Sequence, residues 1–284
     1  MDMNAIEMSH VSKTYGSFAI EDMNFVLPEG CIMGLVGENG AGKSTTIGLI
    51  MHAIAGESGS IKVLGVDNTS KEFLDIREDV GIVLDEAYFP EVLNAKDVNK
   101  IMKCTYKNWR EDTFFQYIER FSIETKKKFK DYSRGMKMKL AIAVALSHNA
   151  RLLILDEATS GLDPVIRDEI LDIFNEFTRE ENHSVLISSH IISDLEKICD
   201  YVAFLHKGKL VLNEEKDRLQ EIYGMIHTGK KEAEDIPKEA VVGMRDNGYS
   251  QEILVKRELV PGSFDIERAG IEDIILYLAK ELPV

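Results

Sequence analysis

Positive charge is in deficit in this 284-residue chain: 34 Lys and Arg stand against 49 Asp and Glu, for a formal net charge of −15. A phosphate-backbone surface needs clustered cations, so an extended nucleic-acid interface is disfavoured. One basic stretch, around Lys126, Lys127, Lys128 and Lys130, reads better as a solvated helix end than as a nucleic-acid site. Cysteine is scarce too. Cys31, Cys104 and Cys199 are far apart and form no C-x-x-C pair, which fits a reduced, cytosolic compartment rather than a disulfide framework. The opening MDMNAIEMSH lacks the basic region and apolar core of a signal peptide. Long apolar runs are missing as well: LLIL and LAIAVAL fall far short of the ~18 residues of a membrane span and suit buried strands or helices. What is present, 44% hydrophobic and 29% charged residues, describes a soluble globular chain of one or two domains with a sizeable core.

The most informative stretch is Gly37-Glu38-Asn39-Gly40-Ala41-Gly42-Lys43-Ser44-Thr45. A short apolar run of strand character, Cys31 to Val36, precedes it, and a segment with helical character, Thr46 to Met51, follows. Strand, glycine-rich loop, helix is the context that a phosphate-binding loop requires. Glycines at 37, 40 and 42 let backbone N–H groups turn inward onto phosphate oxygens, and the helix N-terminus adds the positive end of its dipole. Lys43 is placed to reach the β- and γ-phosphates, and the Ser44 hydroxyl to ligate Mg²⁺. Asn39, Ala41 and Thr45 complete the loop that would hold the nucleotide.

Hydrolysis needs a second half, and Arg151-Leu-Leu-Ile-Leu-Asp-Glu157 supplies one. Leu152 to Leu155 read as a buried strand with two carboxylates at its carboxyl end, where ligands sit in a doubly wound sheet. Asp156 is placed to hold Mg²⁺ through its water shell and Glu157 to polarise the attacking water.

These residues resemble the ATPase subunit of ABC transporters, over roughly residues 4–212 and in several ordered motifs. The resemblance implies a P-loop NTPase ABC ATPase fold of the α/β class, with a mostly parallel core sheet and a helical subdomain. It implies ATP and Mg²⁺ as cofactors. Tyr15 resembles the aromatic on which adenine stacks. Tyr132-Ser-Arg-Gly-Met-Lys137 resembles the family's signature at the start of a helix, with Ser133 and Gly135 at the N-terminus facing the γ-phosphate held by the other subunit. Arg134 stands where the family has the first glycine of the pair; its side chain must point away or contact the partner. Ser160-Gly-Leu-Asp163 resembles the loop that crosses the dimer interface, and His190, after the strand Ser184 to Ser189, resembles the switch histidine at the γ-phosphate. One position departs further. Where the family has a glutamine that touches Mg²⁺ and the attacking water, the stretch VGIVLDEAYFPEVL has none; Asp85 occupies the slot, with Glu86 a register alternative.

The chain divides accordingly into an ATPase domain, residues 1–212, with helices from about 86 to 149 (Lys96 to Tyr106 and Arg110 to Phe121 among them), and a small α+β appendage, 213–284. Tyr88 to Leu93 is either ordinary packing or part of a groove for a membrane subunit's helix. In the appendage GKKEAEDIPKE reads as a linker, Ala240 to Met244 and Gln251 to Leu259 as strands around an Asp246-Asn-Gly248 turn, and Ile271 to Leu282 as a closing helix. No catalytic chemistry is expected there; the appendage either packs on a partner copy or is inert.

Because phosphate loop and signature cannot serve one ATP within one chain, the resemblance implies two copies closing head to tail over two ATP molecules. A homodimer, or a heterodimer with another ATPase, at the cytoplasmic face of the membrane, attached to a separate multi-span subunit and binding no nucleic acid, is the expected assembly. Details of the motifs look most like bacterial exporters with small membrane subunits, among them exporters of antimicrobial or amphipathic cytolytic peptides such as the phenol-soluble modulins. The rival is a soluble ABC ATPase acting on ribosomes or DNA, but this chain has one cassette rather than two and no sustained heptad pattern.

Overall fold

A computed structural model describes residues 3–86 and 88–281. Strands β1 (Asn4–Tyr15) and β2 (Phe18–Pro28) form a hairpin, and β3 (Ile32–Gly37) leads into α1 (Lys43–Ile50). Next come β4 (Ser58–Val63), β5 (Val66–Asp67), the short α2 (Phe73–Ile76) and β6 (Val80–Val83). Three helices follow, α3 (Ala95–Thr105), α4 (Glu111–Arg120) and α5 (Arg134–Leu146). Then strand and helix alternate: β7 (Leu152–Asp156), α6 (Pro164–Phe177), β8 (Ser184–Ser189), α7 (Ile192–Ile198), β9 (Tyr201–His206), with β10 (Lys209–Glu215) returning beside β9. The remainder is α8 (Lys216–Ile222), β11 (Tyr223–Thr228), α9 (Lys230–Ala233), β12 (Val241–Asp246), β13 (Gln251–Lys256), β14 (Glu267–Arg268) and α10 (Ile271–Glu281).

The central sheet has the order β10-β9-β3-β8-β7-β6, with β9, β3, β8, β7 and β6 parallel and only the edge strand β10 antiparallel. Every residue of β3, β7 and β8 is buried, as expected for parallel strands covered on both faces. Alternate side chains feed two different cores. Ile32, Val36, Leu153, Leu155, Val185 and Ile187 face the helices α5 and α6, whereas Met33, Leu35, Leu152, Ile154 and Leu186 face the first sheet. Each such fully buried aliphatic side chain contributes about 1.5–3 kcal/mol.

The N-terminal strands depart from simple strand–helix alternation. β2-β1-β4-β5 make a separate antiparallel sheet whose Ile6, Met8, Ile20 and Phe25 pack onto the second core. The hairpin turn at Gly208 locks these layers together. Its amide donates to the Ala41 carbonyl of the phosphate loop at 2.9 Å, its carbonyl accepts from Glu21 N at 3.2 Å, and a Cβ there would lie 1.7 Å from the Ala19 carbonyl oxygen. Only glycine fits that approach.

The helical segment forms where expected. α3 starts with a capping box between Asn94 and Asp97. The basic stretch at Lys126–Lys130, read as a helix end, lies instead in a turn leading to a 3₁₀ segment, Phe129–Asp131, because buried Ile123 and Phe129 fix the loop at both sides. His148 closes this region, its ring stacked on Tyr106 at 4.1 Å and its Nδ1–H donating to the Glu78 carbonyl at 2.9 Å. Its buried Nε2 has no partner. Burial pushes the imidazole below its ordinary value, against a weaker upward pull from the Glu78 hydrogen bond. The unfolded chain therefore binds this proton more readily than the folded one. Stability from this group is fully present above about pH 6.5, the ordinary histidine value, and falls as pH drops through it. Melting curves from pH 8 to pH 5.5 should show a loss that is smaller in His148→Phe; an identical loss in the variant would assign the effect elsewhere.

The appendage packs on its own chain. Its sheet has the order β12-β13-β11-β14, and β11 lies at Tyr223–Thr228, where no strand was expected. One face covers Ile236 and Ala240, so the segment read as a linker is pinned by a small core of Ile226, Ile253 and Val255. From the other face Met225 and Leu254 join the main core with Ile271, Ile274, Ile275 and Tyr277 of α10. The Ile271 amide donates to Glu196 Oε1 of α7 at 2.7 Å. The helix end expected at Leu282 lies outside the described residues.

Candidate functional site

β3 ends at Gly37 and α1 begins at Lys43, so the intervening loop wraps the N-terminus of α1 at the carboxyl edge of the central sheet. Gly42 caps that helix with φ 113°, backbone that L side chains rarely adopt. The first-turn amides of α1 have no intrahelical acceptor and are left for a ligand. Beside them opens a cavity of about 500 Å³, lined by Phe18, Glu38, Asn39, Gly40, Gly42, Lys43, Ser44, Thr45, Asp85, Asp156 and Glu157. Residues from the loop, from the end of β6 and from the end of β7 thus converge on one space.

The charged groups in it are tied together. Lys43 is 6% exposed; its Nζ donates to the Gly37 carbonyl at 2.7 Å and lies 3.3 Å from Glu157 Oε1. The second contact is an ion pair without hydrogen-bond alignment, so buried Oε1 has no hydrogen-bond donor. His190 Nδ1 donates to the other carboxylate oxygen of Glu157 at 2.6 Å. Ser188 binds both neighbouring acids: its Oγ donates to Asp156 Oδ1 at 2.5 Å and, with its carbonyl, accepts from the Glu157 amide at 3.1 Å. That clamp holds Glu157 at φ 51°, a left-handed conformation costing a non-glycine residue about 1–3 kcal/mol. Strain of this kind, held by a hydrogen bond from the adjacent strand, aims the Glu157 carboxylate between Lys43 and His190.

Asp85, two residues beyond β6, lines this cavity, whereas Glu86 accepts from the Tyr88 hydroxyl at 2.6 Å and borders a neighbouring groove. The structure gathers Lys43, Ser44, Thr45, Asn39, Gly40, Gly42, Asp85, Asp156 and Glu157 directly, and His190 through Glu157. Gly37 and Ala41 support the loop from behind: Gly37 receives Lys43, and the Ala41 carbonyl receives Gly208. Three groups of candidates stand apart from the cavity lining. Tyr15 is 45% exposed, with the Lys13 ammonium 5.3 Å over its ring. Ser133 caps α5, its Oγ accepting from Met136 N at 3.3 Å, and Gly135 packs beside Ile166 of α6. Asp163 caps α6, accepting from the Val165 and Ile166 amides at 3.2 and 3.1 Å, with Pro164 at the first helical position.

Two residues were not singled out or were placed differently by sequence reasoning. Phe18, paired with Tyr15 across the first hairpin, lines the cavity and packs where a Gly42 Cβ would lie 2.9 Å away. No local pattern marks it. Arg134, expected to point away or toward a partner, instead binds Asp85 of its own chain, Nη2 to Oδ1 at 2.9 Å. The appendage also comes close: Glu272, Ile275, Leu276 and Ala279 of α10 border a second cavity with Gly37, Glu38 and His190.

For the metal, Ser44 provides a hydroxyl and Asp156 and Asp85 a carboxylate each to the lining of the cavity. Among the described residues no group of three or more His, Cys, Asp or Glu is gathered as a cage. Oxygen donors of this number fit Mg²⁺, which is held by one or two carboxylates together with substrate phosphates.

Comparison with known proteins places these features in company. The sequence profile of the family described as ABC transporter matches residues 20–160. The lantibiotic transport ATP-binding protein SrtF of Streptococcus pyogenes is 33% identical over 224 residues, covering 77% of this chain and 95% of that protein. The bacitracin transport ATP-binding protein BcrA of Bacillus licheniformis is 36% identical over 211 residues, 72% of this chain and 68% of its own length. A solved ATP-binding subunit of an ABC transporter superposes with a TM-score of 0.69 at 26% identity, covering 76% of this chain and 92% of that one.

Proposed function

The chain belongs to the ABC transporter ATP-binding proteins, and from that membership we propose that it powers the export of antimicrobial or amphipathic peptides through a separate multi-span subunit. It is an ATPase by family. The observation that carries the mechanism is the Lys43–Glu157–His190 chain at the phosphate loop.

In this reading the loop residues Gly37 to Thr45 cradle the triphosphate of MgATP, with Lys43 turning from Glu157 to the β- and γ-phosphates. Glu157, released from that pair, orients the attacking water and takes its proton. His190 holds the carboxylate from the opposite side and senses the γ-phosphate. Ser44, Asp156 and Asp85 would hold Mg²⁺, which would supply Lewis-acid stabilisation of the charge developing on the leaving ADP. Tyr15 and Phe18 take the adenine side. Ser133, Gly135 and Asp163 serve the nucleotide of a second copy, so the working unit is a head-to-tail dimer, with a homodimer the simplest assembly. The ATPase unit, expected to end at residue 212, runs to the end of β10 at Glu215, and the appendage begins with α8.

The membrane partner has a fitting surface. Exposed Ile82, Leu84 and Tyr88, with Ile47, Met51 and Ala53, line a groove of about 560 Å³ that borders Asp85. Phe89 of the same segment is ordinary packing, edge-on to Phe129 at 5.5 Å. A helix of the membrane subunit laid in that groove would contact the nucleotide cavity's own wall, an arrangement that supports attachment at the cytoplasmic face, where ATP is available. No described helix is long and apolar enough to cross a membrane. Tagged chain recovered from detergent-solubilised membranes of its own cell should bring down a multi-span protein in equal amount. Ribosomal proteins or DNA without a membrane protein would overturn the transport reading and favour a soluble ABC machine.

A further inference from the structure

The cavity beside the phosphate loop is acidic before any nucleotide enters. Its lining carries four carboxylates, Glu38, Asp85, Asp156 and Glu157, against one cation, Lys43. A triphosphate brings more negative charge to the same space. Glu157 is held by Lys43 and His190, Asp156 by Ser188, and Glu38 faces His206 Nδ1 at 4.0 Å. Asp85 has a different partner, one from outside the lining: Arg134, the first residue of α5, spans 49 positions of sequence to meet it at 2.9 Å. The guanidinium is bracketed from behind. A Cβ on Gly161 would lie 2.8 Å from Arg134 Nη1, and Gly161 itself adopts φ 66°. Three segments therefore close around one ion pair: the end of β6, the N-terminus of α5 and the loop before α6.

Resting on the ATPase reading above, we infer that Arg134 is the counter-charge that makes Asp85 compatible with a bound triphosphate, so that the two act as one nucleotide-positioning unit. Both side chains are about half exposed, 53% and 54%, so the pair adds little to folding stability. Its effect is local. With Arg134 present, the Asp85 carboxylate is neutralised and available to the metal side of the site. Without Arg134, an unpaired carboxylate faces the phosphates and repels them. Arg134 also ties the Asp85 loop to α5, so a shift of that loop on nucleotide binding moves the start of the helix with it.

A double-mutant cycle on the full chain tests this, with MgATP binding measured by equilibrium dialysis. Arg134→Ala should weaken MgATP binding about three- to ten-fold, by like-charge repulsion across a partly solvated gap. Asp85→Asn alone removes a metal-side carboxylate as well as the charge that Arg134 balances, so its own effect on affinity is measured as the second edge of the cycle. In the Asp85→Asn background, Arg134→Ala should cost much less than three-fold, because the repelling carboxylate is gone. The defect of Arg134→Ala should also shrink as salt is raised. Additive effects in the double variant, or a defect insensitive to salt, would overturn the inference and make Arg134 a helix-end residue only. Native chain that neither binds nor hydrolyses MgATP would instead sink the ATPase reading, independently of the cycle.

Discussion

Glu157→Gln is expected to lower the steady-state rate of phosphate release about a hundred- to ten-thousand-fold while leaving MgATP bound. The carboxylate is the group placed to accept a proton from water, and the amide that replaces it keeps the shape but not the basicity. Backbone geometry is the same for both side chains, so the φ of 51° and the amide bonds to Ser188 survive the exchange. What changes besides basicity is charge. Lys43 loses its ionic partner at 3.3 Å and His190 its carboxylate acceptor at 2.6 Å. A freed Lys43 is better disposed toward phosphates, so affinity for MgATP should hold or rise. With hydrolysis blocked and nucleotide retained, two copies should persist as a closed pair, seen as an ATP-dependent dimer by size-exclusion chromatography or light scattering. Normal turnover in this variant would remove Glu157 from its role. Loss of turnover together with loss of nucleotide would make it a structural partner of Lys43 instead.

How much of this was legible in sequence follows from the range of the interactions. The phosphate loop was readable because everything that defines it is consecutive: a strand ending at Gly37, three glycines, and a helix starting at Lys43. β7 and its two acids were readable for the same reason, and the Asp163 cap of α6, followed by Pro164, is equally local. The contacts that needed distant partners were not. β11, Tyr-Gly-Met-Ile-His-Thr, has a weak local pattern and is a strand because β13 and β14 pair with it on either side. The first two strands form an antiparallel layer whose position depends on Gly208, far along the chain.

The site divides the same way. Tyr15 carries the aromatic signal in sequence, but Phe18 lines the cavity because a hairpin places the two opposite each other and sets Phe18 against Gly42. Arg134 and Asp85 were each noticed as departures from a family pattern, and nothing in the spacing connects them; only the folded chain makes them one ion pair. The strain at Glu157 was equally invisible, since a left-handed glutamate is set by Ser188 on the neighbouring strand. In each case the residue type was legible and its partner was not, which is why chemistry could be assigned from sequence and geometry could not.

Lys43→Ala should cost more than any other single change in nucleotide binding. A charge-assisted hydrogen bond contributes about 1.5–3 kcal/mol, which corresponds to roughly a ten- to hundred-and-fifty-fold loss of affinity. The loss should be larger for MgATP than for MgADP, because the ammonium is placed to reach both the β- and γ-phosphates. Structural damage is the competing explanation, and the geometry separates the two. In the free protein Lys43 satisfies the Gly37 carbonyl and stands beside Glu157 Oε1, so truncation leaves a buried acceptor and a carboxylate with less compensation. Glu157 lines the nucleotide cavity and Gly37 borders the neighbouring one, so water can enter the space vacated by the side chain. The nucleotide-free variant should therefore melt within a few degrees of the native chain, a shift of about 1–2 kcal/mol at most. Stabilisation by added MgATP, which follows from binding to the folded state alone, should disappear at concentrations that raise the native melting temperature. A variant that still gains stability from MgATP would show that the loop's amides hold the triphosphate without the lysine. One that melts far below the native chain before any nucleotide is added would make the lysine chiefly a structural tie between the loop and β7.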